Sequence, residues 1–430
     1  MFLQKKKVHE FTYTELYIAS LFFITVAFLF QNPEEIREGM KLIIMSPSNL
    51  ITDYMMIGGV GTAYFNSGIS MLFTLYTAER AGARLTGALV AGIITVAAFS
   101  FFGKNLINMF PVPIGVYLYT RFQKTEFAHV MHVACFSTGI APIVSVGMFG
   151  IGLPYYIAIP FSIVIGLIVG FTIVPLSASM LNFHQGYNLY NVGFTIGIIG
   201  LAAAGLGRMF DQPLNPVRFI YGGDDTMLVV ITLIGCALLM LAGIYYNRGF
   251  SGYKELLESS GRLVSDYVIE FPKGMVMLNM GLLGLISLAF VKISGAALNG
   301  PVIGGILTVV GFGAFGKHPR NVIPVLIGVY LASAINIFDR SGTETMLIAL
   351  FATTTAPIAG QFGFFAGVLG GFMHCAIAAN VGFLHGGMNL YNNGLAGGFV
   401  CGLMVPIFQA FQERKEELNE RKTQSKANQH

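Results

Sequence analysis

The stretch GKNLINMFPVPIGVYL at residues 103–118 recurs as GKHPRNVIPVLIGVYL at residues 316–331. Sliding the chain by 213 residues carries the whole window Asn66–Leu118 onto Asn279–Leu331 without a gap, with 24 identities in 53 positions. Gly82-Ala83 falls on Gly295-Ala296, Gly103-Lys104 on Gly316-Lys317, and Asn108 on Asn321. After a slip of two residues, Thr138 and Ala141-Pro142 meet Thr353 and Ala356-Pro357. A third block follows at an offset of 201. There His184, Gly186, Asn188-Leu189-Tyr190-Asn191 and Gly193 match His385, Gly387, Asn389-Leu390-Tyr391-Asn392 and Gly394. Three collinear blocks mark an internal duplication, the architectural signal that precedes any reading of single elements. The chain is read as a first copy at residues 1–215, a second at 216–411, and a polar tail at 412–430.

Composition supplies the solvent. Of the 430 residues 54% are hydrophobic and 11% charged, and mean hydropathy is +0.69. A soluble domain carries about a quarter charged residues. A helical crossing needs roughly 20 apolar residues, so a dozen crossings would consume about 240 and leave only short connections. An extramembrane catalytic domain is excluded on length. The expected fold is all-α integral membrane, with tandem repeats of about 5–7 helical segments each. The first apolar run, about residues 11–30, lacks a small-residue cleavage site and reads as a retained crossing. Net charge is +4, with no basic stripe for nucleic acid. The four cysteines lie singly in apolar stretches, outside ligand spacings.

Charge also orients the copies. Lys5-Lys6-Lys7 before the first run argues for a cytoplasmic N-terminus in a multi-pass membrane protein. The loop with Arg80 and Arg84 is basic, whereas its counterpart keeps only Lys292. This contrast favours inverted copies. Gly139-Ile140-Ala141-Pro142 and Thr354-Thr355-Ala356-Pro357 interrupt apolar runs, and Pro111 and Pro113 open a short one. Unpaired backbone at membrane depth is tolerated only inside protein or against a water-filled path. Broken or re-entrant half-helices, buried in protein, are therefore expected at these places.

The polar residues within apolar runs are the candidate path. The paired blocks His-x-Gly-x-Asn-Leu-Tyr-Asn-x-Gly contribute His184, Asn188, Tyr190, Asn191, His385, Asn389, Tyr391 and Asn392. Amides, hydroxyls and imidazoles replace a neutral solute's hydration without burying an unpaired charge. The competing reading makes the same groups helix caps and interhelical glue. Asn66 and Asn279 fall inside apolar runs, and Thr138 and Thr353 stand just before the Ala-Pro breaks. Lys104 and Lys317 either snorkel to the headgroups or guard the mouths of a path and attract anions. Asp339, Arg340 and Glu344 read as a loop ion pair. No nucleophile elbow or zinc-protease signature occurs, so no enzyme, cofactor or metal is expected.

On these repeated blocks the sequence resembles a family of multi-pass membrane proteins of Firmicutes that is a domain of unknown function. A looser similarity is to urea transporters, inverted repeats of about five spans around a central path. It rests on Gly186-Tyr187-Asn188 and the proline-led stretch Pro111–Leu118; Leu189 and Gly387-Met388-Asn389 depart from the urea-transporter pattern. The function expected is a channel or transporter for a small polar solute, with its path near the repeat interface. Alternatives are an ion-coupled carrier of a small organic anion, and a membrane subunit or intramembrane enzyme. The partners expected are the bilayer, the solute and, where the sequence leaves the matter open, further copies of the chain.

Overall fold

The computed structural model describes residues 10–427 except Val264 and Asn336. Lys5, Lys6 and Lys7, on which the orientation of the N-terminus rests, lie outside the described residues. Regular structure among the described residues is helical. In the first half run α1 (Tyr13–Phe30), α2 (Pro33–Met45), α3 (Tyr54–Gly58), α4 (Val60–Arg80), α5 (Gly87–Phe99), α6 (Leu106–Met109) and α7 (Pro111–Gln123). They are followed by α8 (Met131–Ser137), α9 (Pro142–Phe149), α10 (Tyr155–His184) and α11 (Asn191–Met209). The second half holds α12 (Thr226–Asn247), α13 (Tyr253–Glu258), α14 (Tyr267–Glu270), α15 (Lys273–Ile293), α16 (Gly300–Phe312) and α17 (Pro319–Ile335). It ends with α18 (Thr343–Ala352), α19 (Ala356–Phe362), α20 (Phe364–Val381) and α21 (Asn392–Ala427).

Eight of these helical runs are long and apolar enough to cross a membrane, and a ninth is formed if the bent pair Phe127–Ile140 and Pro142–Phe149 counts as one. Their outward faces stay apolar, with Leu29, Ile168, Leu238 and Phe365 all exposed. Helices that are apolar all round belong in a core or in lipid. Residues 412–424, the polar start of the tail, continue α21 as an exposed helix.

Helices at matching positions of the two sequence blocks make matching contacts. α1 packs on α4 as α12 packs on α15, and α7 packs on α10 as α17 packs on α20. The second pairing is glycine-dependent. A methyl built on Gly170 would lie 1.9 Å from the Val112 carbonyl, and one on Gly371 would lie 2.1 Å from that of Val325. Only glycine permits such an approach between backbones. Between the halves, α5 packs on α16 and α11 on α21. Gly87, at the start of α5, meets the carbonyl of Ala314 just beyond α16, while Gly304 near the start of α16 meets that of Ala98. α5 and α16 therefore run antiparallel.

Both proline breaks are buried, as expected, and take the form of single 3-10 turns at Thr138–Ile140 and Thr353–Thr355. The first bends the helix by 41°, whereas the second leaves Thr343–Phe362 a single span. In a 3-10 turn each carbonyl bonds the amide three residues on. For Gly139 and Thr354 that residue is Pro142 or Pro357, which has no N–H. Both carbonyls are thereby free, and each is taken by the other half. Leu390 N–H donates to the Gly139 carbonyl at 2.9 Å and Leu189 N–H to that of Thr354 at 3.0 Å. The two breaks are cross-pinned. One loop expectation fails: Glu344 pairs with Arg218 at 3.4 Å and Arg340 lies over the Tyr330 ring, so Asp339, Arg340 and Glu344 do not form an ion pair. The Tyr330 ring under Arg340 and the Arg218 guanidinium beside Glu344 decide this, and sequence neighbourhood does not.

Two aspartates tie the halves a second time. Asp53 caps α3 through Met55 N–H (2.9 Å) and accepts, from the other half, Tyr221 N–H (3.0 Å) and Gly300 N–H (3.3 Å). Asp266, 213 residues later, caps α14 through Ile269 N–H (3.2 Å) and accepts Gly87 N–H (2.7 Å). Each carboxylate thus serves the first amide of α5 or α16 across the interface. Burial pushes the Asp53 carboxyl up to about 7, against three amide donors that lower it; burial likewise raises Asp266. A carboxyl raised in the folded state holds its proton more tightly there, so its contribution is full below the ordinary range near 4 and is lost as pH rises through about 7. Asp53→Asn should lower the Tm in detergent by several degrees, and the gap from wild type should be wider at pH 5 than at pH 8. Thermal unfolding at the two pH values checks this; a gap that widens with pH would contradict it.

Candidate functional site

The repeated His/Asn blocks form the two hairpins that follow α10 and α20. α10 ends at His184, with Gln185 left-handed (φ 53°) and Gly186 at φ 80° reversing the chain. His184 Nδ1 accepts the Asn188 N–H at 3.4 Å, which assigns the neutral ring's proton to Nε2, the donor to Asn191 Oδ1 at 2.9 Å. His385 repeats this with Asn389 N–H (3.4 Å) and Asn392 Oδ1 (2.7 Å). Asn191 Nδ2 then donates to the Ser177 carbonyl (2.9 Å), and Asn392 Nδ2 to that of Ala378 (3.4 Å).

The inner amides reach across. Asn188 Nδ2 donates to the Gly394 carbonyl at 3.0 Å, and Asn389 Nδ2 to that of Gly193 at 3.1 Å. Asn188 Oδ1 accepts the Thr354 hydroxyl (2.6 Å) and Tyr190 N–H (3.2 Å); Asn389 Oδ1 accepts Tyr391 N–H (2.9 Å). The histidine and asparagine side chains of these blocks are spent on closing the hairpins and on joining the first turns of α11 and α21. As placed here the four asparagines hold the hairpins together and do not present free groups to a path.

Asn66 and Asn279 are positioning residues as well. Asn66 Nδ2 donates to the carbonyls of Ser100 (2.7 Å) and Lys104 (2.8 Å), and Asn279 Nδ2 to those of Gly313 (2.7 Å) and Lys317 (2.8 Å). They satisfy the backbone that leaves the ends of α5 and α16, and so fix where the two lysines start. Both lysines are 0% exposed. Neither snorkels nor stands at a mouth, because the loops turn inward after α5 and α16 and drive the side chains into the protein.

In the interior Lys317 meets an aromatic residue of the opposite copy's block, Tyr190, and Lys104 meets Phe99 of its own copy. Lys317 Nζ donates to Tyr190 OH (2.7 Å) and to Thr353 Oγ1 (2.7 Å), and lies 5.0 Å from the Phe312 ring centroid. Lys104 Nζ lies 5.1 Å from the ring of Phe99, the residue matching Phe312. Phe99 in turn touches Tyr391 at 4.4 Å between centroids, as Phe312 touches Tyr190 at 4.6 Å. Tyr190 and Tyr391 meet each other at 5.4 Å. Thr138, the counterpart of Thr353, gives its hydroxyl to the Cys135 carbonyl at 2.6 Å. Among the described residues Lys104 Nζ and Tyr391 OH have no hydrogen-bond partner.

Asp53, Asp266, Phe99 and Phe312 were not among the expected site residues. A signal existed for the aspartates, since Asp53-Tyr54 and Asp266-Tyr267 keep the offset of 213 upstream of the window first recognised. The Lys–Tyr pairing had no such signal, because it joins residues about 130 positions apart in opposite copies. If the asparagines are interhelical glue, removing one amide strands the carbonyl it serves, at about 1–3 kcal/mol. Asn188→Ala and Asn389→Ala should each lower the Tm in detergent by more than Asn380→Ala, whose exposed amide bonds only its own helix. Equal Tm values for the three variants would remove this reading.

Comparison with known proteins adds a family and no activity. No curated protein and no solved structure matches the chain, so the likeness to urea transporters rests on the sequence stretches alone. One family model matches across residues 32–209 and 245–410, a division that falls on the two halves. The chain belongs to that family, the proteins of unknown function designated DUF1576.

Proposed function

We propose that this chain is a membrane transport protein for a small solute, built from two repeats of inverted topology, with its path at the repeat interface. The observation that carries the reading is the pair of proline-broken helices whose freed carbonyls meet the opposite half in the interior. Broken helices lying at a repeat interface are where repeat-built transporters place their solutes. The antiparallel packing of the matched helices α5 and α16 supports inversion, because an axis along the membrane normal would leave matched helices parallel. The path's polar groups would come from the central lysines, tyrosines and threonines, with the asparagines positioning them. A buried lysine favours a solute carrying negative charge over a neutral one.

Topology is tested by labelling. Arg80 and Ile293 end α4 and α15 at matching positions and are both exposed, and the four native cysteines are buried. In intact cells a membrane-impermeant thiol reagent should label Arg80→Cys and Ile293→Cys from opposite faces. Labelling of both from one face would remove the inversion. Transport is tested in liposomes holding the purified protein, challenged with neutral polar solutes and with small carboxylates. Flux above protein-free liposomes is expected for at least one class; folded protein that moves neither overturns the reading.

A further inference from the structure

We propose that Lys104 and Tyr391 bind the carboxylate of a small monoanion that carries an apolar body. Two places that the self-similar blocks make equivalent differ in one respect. In one, the Lys317 ammonium is spent on Tyr190 and Thr353. In the other, Lys104, Tyr391, Thr138 and Phe99 repeat the same residue types, yet the ammonium and the phenol are both unpartnered among the described residues and both at most 1% exposed. Thr95, which stands beside the phenol, gives its own proton to the Ala91 carbonyl at 2.7 Å. A buried ammonium without an acceptor is costly, and an anion there removes the cost.

The same asymmetry extends outward along α4. Asn66 Oδ1 and Ser70 Oγ are buried and unpartnered, whereas Asn279 Oδ1 accepts the Tyr253 hydroxyl at 3.0 Å and Leu283 stands in the place of Ser70. Asn66, Ser70 and Thr74 recur every four residues and so share one face of α4. Thr74 and Thr138 line a cavity of about 380 Å³ between α4, α7 and α8, whose other walls include Phe73, Phe110, Met131 and Cys135. Its outer edge is made by Ile114 and Tyr117, both exposed on α7. The inner end of that stripe, Asn66, bonds the Lys104 carbonyl at 2.8 Å, and Thr138 is the counterpart of the threonine that receives Lys317. Lys104 and Tyr391 are not themselves among the residues lining the cavity, whose walls are mostly apolar.

Ligand chemistry follows from these parts. One ammonium answers one negative charge, which favours a monoanion. A phenol and an ammonium supply separate donors for the two oxygens of a carboxylate. The apolar walls admit a hydrocarbon body and offer little to a fully hydrated ion. As a binding site this stands alone; as the seat of the transported solute it rests on the transport reading above.

The test uses the full-length protein in neutral detergent, with Tm followed against sodium acetate, butanoate and hexanoate at constant ionic strength, and chloride and phosphate as comparisons. The expected result is a saturable rise that grows from acetate to hexanoate. It should vanish in Lys104→Met and require about tenfold more carboxylate in Tyr391→Phe. Without ligand, Lys104→Met should melt at or above the wild-type Tm, because an unpaired charge is removed. Lys317→Met should melt below it, because Tyr190 and Thr353 lose their partner. Lys104→Gln, uncharged and of similar length, should show the same loss of response and serves if the methionine variant does not purify. A rise that persists in both Lys104 variants, or no saturable rise with any carboxylate, overturns the site. A rise equal for chloride and hexanoate overturns the carboxylate with an apolar body. Binding in detergent without flux in liposomes would overturn transport and leave this site standing; flux of neutral solutes without carboxylate binding would do the reverse.

Discussion

The carbonyls of Gly139 and Thr354 are the points on which the interior depends. A proline three residues on removes the amide that each would have bonded, at a depth where no water replaces it. Each is rescued by an amide of the opposite half, Leu390 or Leu189. That pair of bonds has consequences along the chain. It places Tyr190 next to Lys317 and Tyr391 next to Phe99, because each tyrosine directly follows the leucine that is pinned. It also brings Asn188 and Asn389 within reach of the first turns of α21 and α11. The prolines are therefore sources of contact between the halves and not merely interruptions.

A second layer of ties lies away from the breaks. Asp53 and Asp266 each give a carboxylate oxygen to the start of the other half's short helix, α16 or α5. Those helices already have their own caps in Asn299 and Thr86. The aspartates consequently add little that an isolated helix would need, and their effect is on how the halves meet. With Glu15 bonded to Lys273 at 2.6 Å, the first helix is joined to the second half as well. Charged residues are scarce in this chain, and several of the buried ones are used at the boundary between halves.

Near-equivalence makes the differences informative. Where one half has Lys317 bonded twice, the other has Lys104 without a partner among the described residues. Where one half has Leu283 and Leu350, the other has Ser70 and Cys135. Each unpaired buried polar group costs stability. The differences at these matched positions are specific: Lys104 Nζ, Asn66 Oδ1 and Ser70 Oγ lack hydrogen-bond partners among the described residues where Lys317 and Asn279 Oδ1 are bonded and Leu283 is apolar.

The sequence alone determined that the chain is helical and apolar enough for a membrane, and it carries the self-similar blocks from which two copies are read, since periodic hydrophobicity and self-similarity are properties of the linear order. It also located the two breaks, because proline's missing amide is a local fact. It indicated that the His/Asn blocks were special and left open whether they cap or line a path. Bond partners across the halves show where these amides are used in the structure: Asn188 and Asn389 serve carbonyls about 200 residues away. The burial of Lys104 and Lys317 was likewise invisible, because a lysine ending an apolar run has the same local pattern whether its loop turns outward to headgroups or inward to the core. Only the packing of one half against the other decided that direction, and with it which lysine found a hydroxyl.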